Sequence, residues 1–241
     1  MIVYDSLIEE TLQVLKPYEC KELPVMDSVS WKCLKNNEFL LGKEVAFELG
    51  DRIDPCTVYN CVTSNPKLVA EDKIILLGKD LQEINENTNF SRITFLNVDA
   101  MEDADKAYKK IKRIEFERFN VIPQGYMVST SSVENKENIR VSKKAIKKGL
   151  DFATIGNLFI NKYKTVEGVN HAWMIFIVGE YDFIPELVKI SRKVDDITNA
   201  FEHIMKNIIL DCAVCPLRTI CDDVEALREL HFNINKKKNT R

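Results

Sequence analysis

Three short runs of apolar residues place the strongest constraint on the fold of this chain. They are Lys73–Gly78, Arg92–Val98 and His171–Val178, and polar residues bound each of them. Nearly continuous apolar runs of this length are typical of strands that are buried on both faces of a sheet. The sequence therefore predicts a central sheet that is covered by other elements.

An amphipathic segment between these runs predicts one covering helix. Residues 101–119 carry apolar side chains at helical spacing, with Lys, Arg and Glu on the opposite face. Ser6, Ser142 and Asp151 occupy positions that are typical of helix caps. Further helices are predicted at residues 5–16, 143–148, 186–193, 195–208 and 222–230 and after Asp151, and further strands at 44–50 and 57–63, around 126–128 and up to 141.

Strands and helices alternate irregularly along the chain, and there is no internal repeat and no linker before residue 208. This order predicts a layered α+β or mixed α/β domain of sheet and helices over residues 1–208. A short cysteine-bearing helical appendage is expected at residues 209–232, and a disordered basic tail at 233–241.

Composition limits the classes of function. The 241 residues are 45% hydrophobic, which suffices for a buried core, and carry a net charge of −3. That charge disfavours nucleic acid or an anionic membrane as partners. No apolar run approaches the roughly 18 residues that a membrane span needs, so we expect a cytoplasmic protein. Seven cysteines, an odd number, favour reduced thiols over a disulfide framework.

Three of these thiols form the sharpest motif. Cys212, Cys215 and Cys221 are separated by two and then five residues. A pair two residues apart can bind one metal ion or cluster, so the spacing predicts a metal site. Three thiolates and a ligand from elsewhere suit a [4Fe–4S] cluster, whereas a Cys₃His set with His203 or His231 suits structural zinc.

The remaining cysteines have less distinctive surroundings. Cys56 and Cys61 could supply the missing ligand, but burial in a sheet is the more frequent role of such residues. Trp31 and Cys33 are predicted to contribute to the core, and His171 to lie in the core or at its rim. No hydrolase triad and no nucleotide-binding glycine motif can be assembled, so catalytic residues are not identified.

A basic run gives a second candidate site. Arg140, Lys143 and Lys144 could receive the phosphates of a nucleotide-tailed cofactor such as coenzyme A. A solvated helix face is the more frequent meaning of such a run.

Several segments together resemble a known family. They are Glu71–Asp80, the helix at 101–119, Gln124-Gly125 and, above all, residues 139–156. From about residue 40 to residue 180 the chain resembles the middle domain of acetyl-CoA synthase, the β subunit of the carbon monoxide dehydrogenase/acetyl-CoA synthase complex. The resemblance implies an α/β unit that is implicated in coenzyme A binding, followed by a cysteine-rich domain that holds a nickel–iron–sulfur cluster.

The cysteines match this family only in part. Cys212 and Cys215 resemble the first pair of its cluster ligands, but the family's later spacing is wider and the sequence contains no Cys-Gly-Cys, the motif that holds the distal nickel. The resemblance thus implies an iron–sulfur protein of anaerobic one-carbon or corrinoid metabolism. It would act as an electron-transfer, activating or accessory subunit beside carbon monoxide dehydrogenase or corrinoid partners, or as a homo-oligomer. The alternatives are an interaction module with structural zinc and a coenzyme A-binding protein with incidental cysteines.

Overall fold

The computed structural model describes residues 4–50, 56–100, 104–131, 135–206 and 215–223. In chain order the elements are α1 (Asp5–Leu15), β1 (Lys21–Leu23), β2 (Val45–Leu49), β3 (Val58–Thr63), β4 (Lys73–Gly78), β5 (Phe90–Val98), α2 (Ala104–Glu117), β6 (Tyr126–Ser131), β7 (Lys136–Ser142), α3 (Lys143–Lys147), α4 (Phe152–Tyr163), β8 (Val169–Val178), α5 (Ile184–Met205) and α6 (Arg218–Asp223).

The larger of two sheets has the strand order β1-β4-β8-β5-β3. β4 pairs with β8 in parallel, and β5 with β3 in parallel, while β5 and β8 are antiparallel. The two parallel pairs therefore run in opposite directions. The three predicted apolar runs are neighbouring strands at the centre of this sheet, and every residue of β5 is buried.

Helices cover both faces of the large sheet. The guanidinium carbon of Arg92 on β5 lies 4.7 Å from the ring centroid of Phe159 on α4. Its neighbour Ile93 is in register with Tyr59, whose hydroxyl lies 2.8 Å from that of Thr11 on α1. Because successive side chains of a strand point to opposite faces, α4 and α1 lie on opposite faces of the sheet. The predicted layered α+β class is confirmed.

A smaller antiparallel sheet, β2-β7-β6, packs beside β5. A buried ion pair joins the two sheets. The Arg92 guanidinium donates to both carboxylate oxygens of Glu137 on β7, at 3.1 and 2.5 Å, and the side chains are 1% and 6% exposed. The buried guanidinium thus has its counter-ion at hydrogen-bonding distance on the neighbouring sheet.

One prediction that the structure corrects is the break between helices at 186–193 and 195–208. A single helix, α5, runs through this region from Ile184 to Met205, and residues 207 and 208 lie outside the described part of the chain. Asp195 does not begin a helix, because its carboxylate accepts a hydrogen bond from Asn135 instead. Val194 and Ile197 are both buried, so the apolar face continues across the expected break.

Several local predictions also change. The strands at 44–50 and 57–63 are found, but they belong to different sheets, and residues 51–55 between them lie outside the described part of the chain. Cys33 is exposed, whereas Trp31 packs partly against the core as predicted. α1 begins at Asp5 after Tyr4, without a side-chain cap, so Ser6 does not cap it.

The C-terminal predictions are only partly covered by the described residues. α6 includes the first residues of the helix expected at 222–230, and residues 224–241, with the expected tail, are outside. Across the described ranges, no helix combines the length and the apolar composition that crossing a membrane would require.

Candidate metal centre and basic sites

The cysteine segment lies against the end of the domain. Leu217, Ile220 and Cys221 pack against the main core, and their spacing places them on one face of the α6 turn. The Arg218 amide donates to the Cys215 carbonyl at 3.2 Å and so closes the turn that precedes α6. Cys215 and Cys221 are both half-buried. Cys215 and Cys221 thus lie in one described segment, within six residues of each other in sequence, and Cys212 lies outside the described residues.

His203 is the one predicted zinc ligand whose surroundings are described. It lies in the last turn of α5, the helix against which α6 packs. Its Nδ1 atom is buried and has no hydrogen-bond partner among the described residues. A buried polar atom without a partner is unfavourable, and a metal ion would satisfy it.

The donor types present at this corner fit the metals that the sequence predicted. Thiolates suit zinc and iron–sulfur clusters, and an imidazole suits zinc. No three His, Cys, Asp or Glu side chains come together as a metal site within the described ranges, which include neither Cys212 nor His231. The complete ligand set therefore remains a prediction.

The other cysteines have structural surroundings. Cys61 lies in β3 and is fully buried, and burial with the nearby Asp5 raises the pKa of its thiol. Cys56 is buried two residues before that strand, so both residues are small core residues, although only Cys61 lies in the sheet. Cys20 and Cys33 are exposed, and partial desolvation raises the pKa of each thiol. A raised pKa keeps these thiols protonated and poorly nucleophilic at neutral pH.

The basic run predicted to bind coenzyme A lies where β7 leads into α3. Ser142 caps α3 as predicted, because its hydroxyl accepts hydrogen bonds from the amides of Lys144 and Ala145. Arg140 Nε donates to Glu48 Oε1 at 2.7 Å, and Lys143 Nζ donates to the Lys43 carbonyl at 3.0 Å. The side chains of α3 that point to solvent are those of Lys143, Lys144, Lys147 and, just beyond the helix, Lys148.

His171 is the third residue of β8 and lies at the rim of the sheet. Its Nδ1 lies 3.7 Å from Asp72 Oδ1, and the side chain is 39% exposed. The prediction of a core or rim histidine is confirmed.

Sequence reasoning missed a basic cavity beside α2. Four cations that had been assigned only to the polar face of that helix line a cavity of about 790 Å³: Lys106, Lys109, Lys110 and Arg113. The sequence contained a signal for this cluster, because Lys109, Lys110 and Arg113 follow Lys106 by three, four and seven residues, soon after a buried strand. That spacing places all four on one side of a helix.

Comparison with protein families gives a match. The family model described as CO dehydrogenase/acetyl-CoA synthase complex beta subunit matches residues 37–175, more than half of the chain. Among curated proteins, none matches. The matched region extends from before β2 into β8, so it includes α2 and α3 and ends before the cysteine segment.

Proposed function

Because the chain belongs to the CO dehydrogenase/acetyl-CoA synthase complex beta subunit family, we propose that it is an iron–sulfur protein of carbon monoxide and acetyl-CoA metabolism. Cys212, Cys215 and Cys221 would hold the cluster, with one ligand from elsewhere. The observation that carries this proposal is the position of Cys215 and Cys221, half-buried in a segment that packs against the domain core. When bound, such a cluster supplies one-electron transfer.

We assign the chain an accessory role in that metabolism. The 241 residues contain no Cys-Gly-Cys, the motif to which the family resemblance assigns the distal nickel. Electron transfer to, or activation of, a carbon monoxide dehydrogenase or corrinoid partner requires a cluster but does not require that nickel. The setting would be the cytoplasm of an anaerobic cell, and a second copy of the chain is the alternative partner.

The orphaned His203 Nδ1 favours one alternative, a structural zinc site. A Cys₃His site would use the same three thiols and would stabilise the folded C-terminal segment without redox chemistry.

The metal proposal predicts the result of anaerobic reconstitution with iron and sulfide. The wild-type protein should retain iron and show visible charge-transfer absorbance, and Cys215→Ser and Cys221→Ser should each lose most of both. Cys20→Ser is the matched control, since Cys20 is exposed and far from this segment in the sequence. Colourless wild-type protein without iron would refute the cluster. Stoichiometric zinc that is lost in His203→Ala would establish the zinc alternative.

Coenzyme A binding is a second candidate, favoured by the exposed lysines of α3. Saturation at 100 times Kd stabilises a protein by about 2.7 kcal/mol, which raises Tm by roughly 5–10 °C for a chain of this size. Arg140→Ala and Lys144→Ala should both reduce this shift, and the exposed Lys189→Ala on α5 should not. We expect Lys144 to show the larger effect, because Arg140 is already paired with Glu48. A Tm that does not respond to coenzyme A would exclude this candidate.

A further inference from the structure

The cavity beside α2 lies where ligands commonly bind in α/β proteins. β3 and β5 are parallel, and the chain leaves the carboxyl end of β5 through Asp99 and Ala100 to enter α2. Crevices outside the carboxyl ends of parallel strands are the usual ligand sites of such sheets. The cavity is lined by these two residues, by α2 and by residues 165–167, and its volume of about 790 Å³ is typical of a small-molecule site.

The lining is strongly cationic. Among the described residues that line the cavity, four are cations of α2 and two carry carboxylates, Asp99 and Glu167. Arg113 is also paired with Glu117, and Lys106 and Lys109 have interactions within the chain. Lys110 forms no ion pair with any described residue. Like charges three and four residues apart destabilise a helix, and an anion in the cavity would relieve that repulsion.

The backbone at Gly168 lies close to two charged groups, the Lys110 ammonium and the Asp99 carboxylate. Gly168 has a φ of +73°, and a Cβ there would lie 2.5 Å from Lys110 Nζ and 2.6 Å from Asp99 Oδ2. Asp99 is also held by Asn170, whose Nδ2 donates to its Oδ1 at 3.1 Å. The Lys110 ammonium thus lies beside the Gly168 backbone and close to the Asp99 carboxylate.

We propose that this cavity binds a small molecule through a phosphate group with two or more negative charges. A phosphate is opposite in charge to these cations, and its several oxygens can accept from lysine and arginine donors at once. The concave position of these cations and the net charge of −3 of the chain distinguish the site from a nucleic-acid surface. The proposal involves neither the cysteines nor the α3 lysines, so it is independent of the proposed function.

Isothermal titration calorimetry of the full chain with inorganic pyrophosphate at constant ionic strength tests the proposal. Lys110→Gln should weaken binding at least about tenfold, the typical effect of losing one charge-assisted hydrogen bond. Gly168→Ala, which displaces Lys110 and Asp99 without changing the charge, should weaken binding in the same direction. Lys112→Gln is the matched control on the same helix, because Lys112 pairs with Glu115 and Glu202 outside the cavity.

A parallel titration with ADP identifies the source of the phosphate. ADP that binds more tightly than pyrophosphate, with the same dependence on Lys110, indicates a nucleotide. Equal affinities indicate that the phosphate group alone is recognised. The proposal is overturned if neither compound binds, or if Lys112→Gln weakens binding as much as Lys110→Gln does.

Discussion

Glu137→Leu is expected to lower the free energy of unfolding by about 3–5 kcal/mol, because it leaves the buried Arg92 guanidinium without a counter-ion. Burial alone would lower the pKa of Arg92, but the Glu137 carboxylate outweighs burial and the pKa is raised above its usual value. Arg92 thus remains charged. Its other contacts, Thr94 Oγ1 at 3.1 Å and the ring of Phe159, cannot balance a full charge. Urea denaturation measures the loss.

The double variant Arg92→Met with Glu137→Leu is the control for this result. It removes both charges and keeps apolar volume at the junction of the two sheets, so it should be clearly more stable than Glu137→Leu alone. If the double variant is as unstable as the single one, the loss comes from packing and the electrostatic explanation is wrong.

Gly78→Ala is expected to destabilise the protein by more than about 3 kcal/mol, which is in the range of severe core substitutions. Gly78 ends β4 with a φ of +96°, and a Cβ there would lie 2.1 Å from the carbonyl oxygen of Val178 on β8. A backbone atom of a central strand cannot move aside as a side chain can, so the end of the β4–β8 ladder must separate.

Gly149→Ala is the matched control, because Gly149 has a similar φ of +88° and a Cβ there would meet nothing within 4 Å. Its free energy of unfolding should fall only by the cost of placing a side chain in the left-handed conformation, about 1–2 kcal/mol. The difference between the two variants in urea denaturation isolates the close approach of β4 and β8. Equal losses would show that conformational strain alone explains the effect at Gly78.

The large sheet could be predicted from sequence because its central strands are buried on both faces and read as continuous apolar runs. The pairing of the strands could not be predicted. β2 and β3 are close in sequence, but β2 pairs with the distant β7 and β3 pairs with β5. β1 was missed because its three residues, Lys21–Leu23, form a short polar edge strand against β4. The false break in α5 arose because Asp195 is a good helix cap, and only the tertiary contact with Asn135 gives it another role.

The candidate sites, like the fold, could be predicted from the sequence only in part. The spacing of the cysteines predicted a metal site, which the described residues do not test because Cys212 lies outside them. That spacing could not reveal that His203 on α5 has a buried nitrogen without a partner among the described residues. The cavity beside α2 depends on the loop at residues 165–167, which approaches the helix only in the folded chain. A pattern along one helix therefore indicates a charged face but not the wall opposite it.

The position of β8 has a consequence for how the protein is made. β8 is the last strand in the described part of the chain, yet it joins the β1–β4 pair to the β5–β3 pair, and its register partners on β4 lie about 100 residues earlier. Before residue 178 leaves the ribosome, both pairs present open edges that can associate with other chains. Closure over such a long loop is also slow. The nascent chain is therefore exposed to aggregation until β8 emerges and completes the sheet.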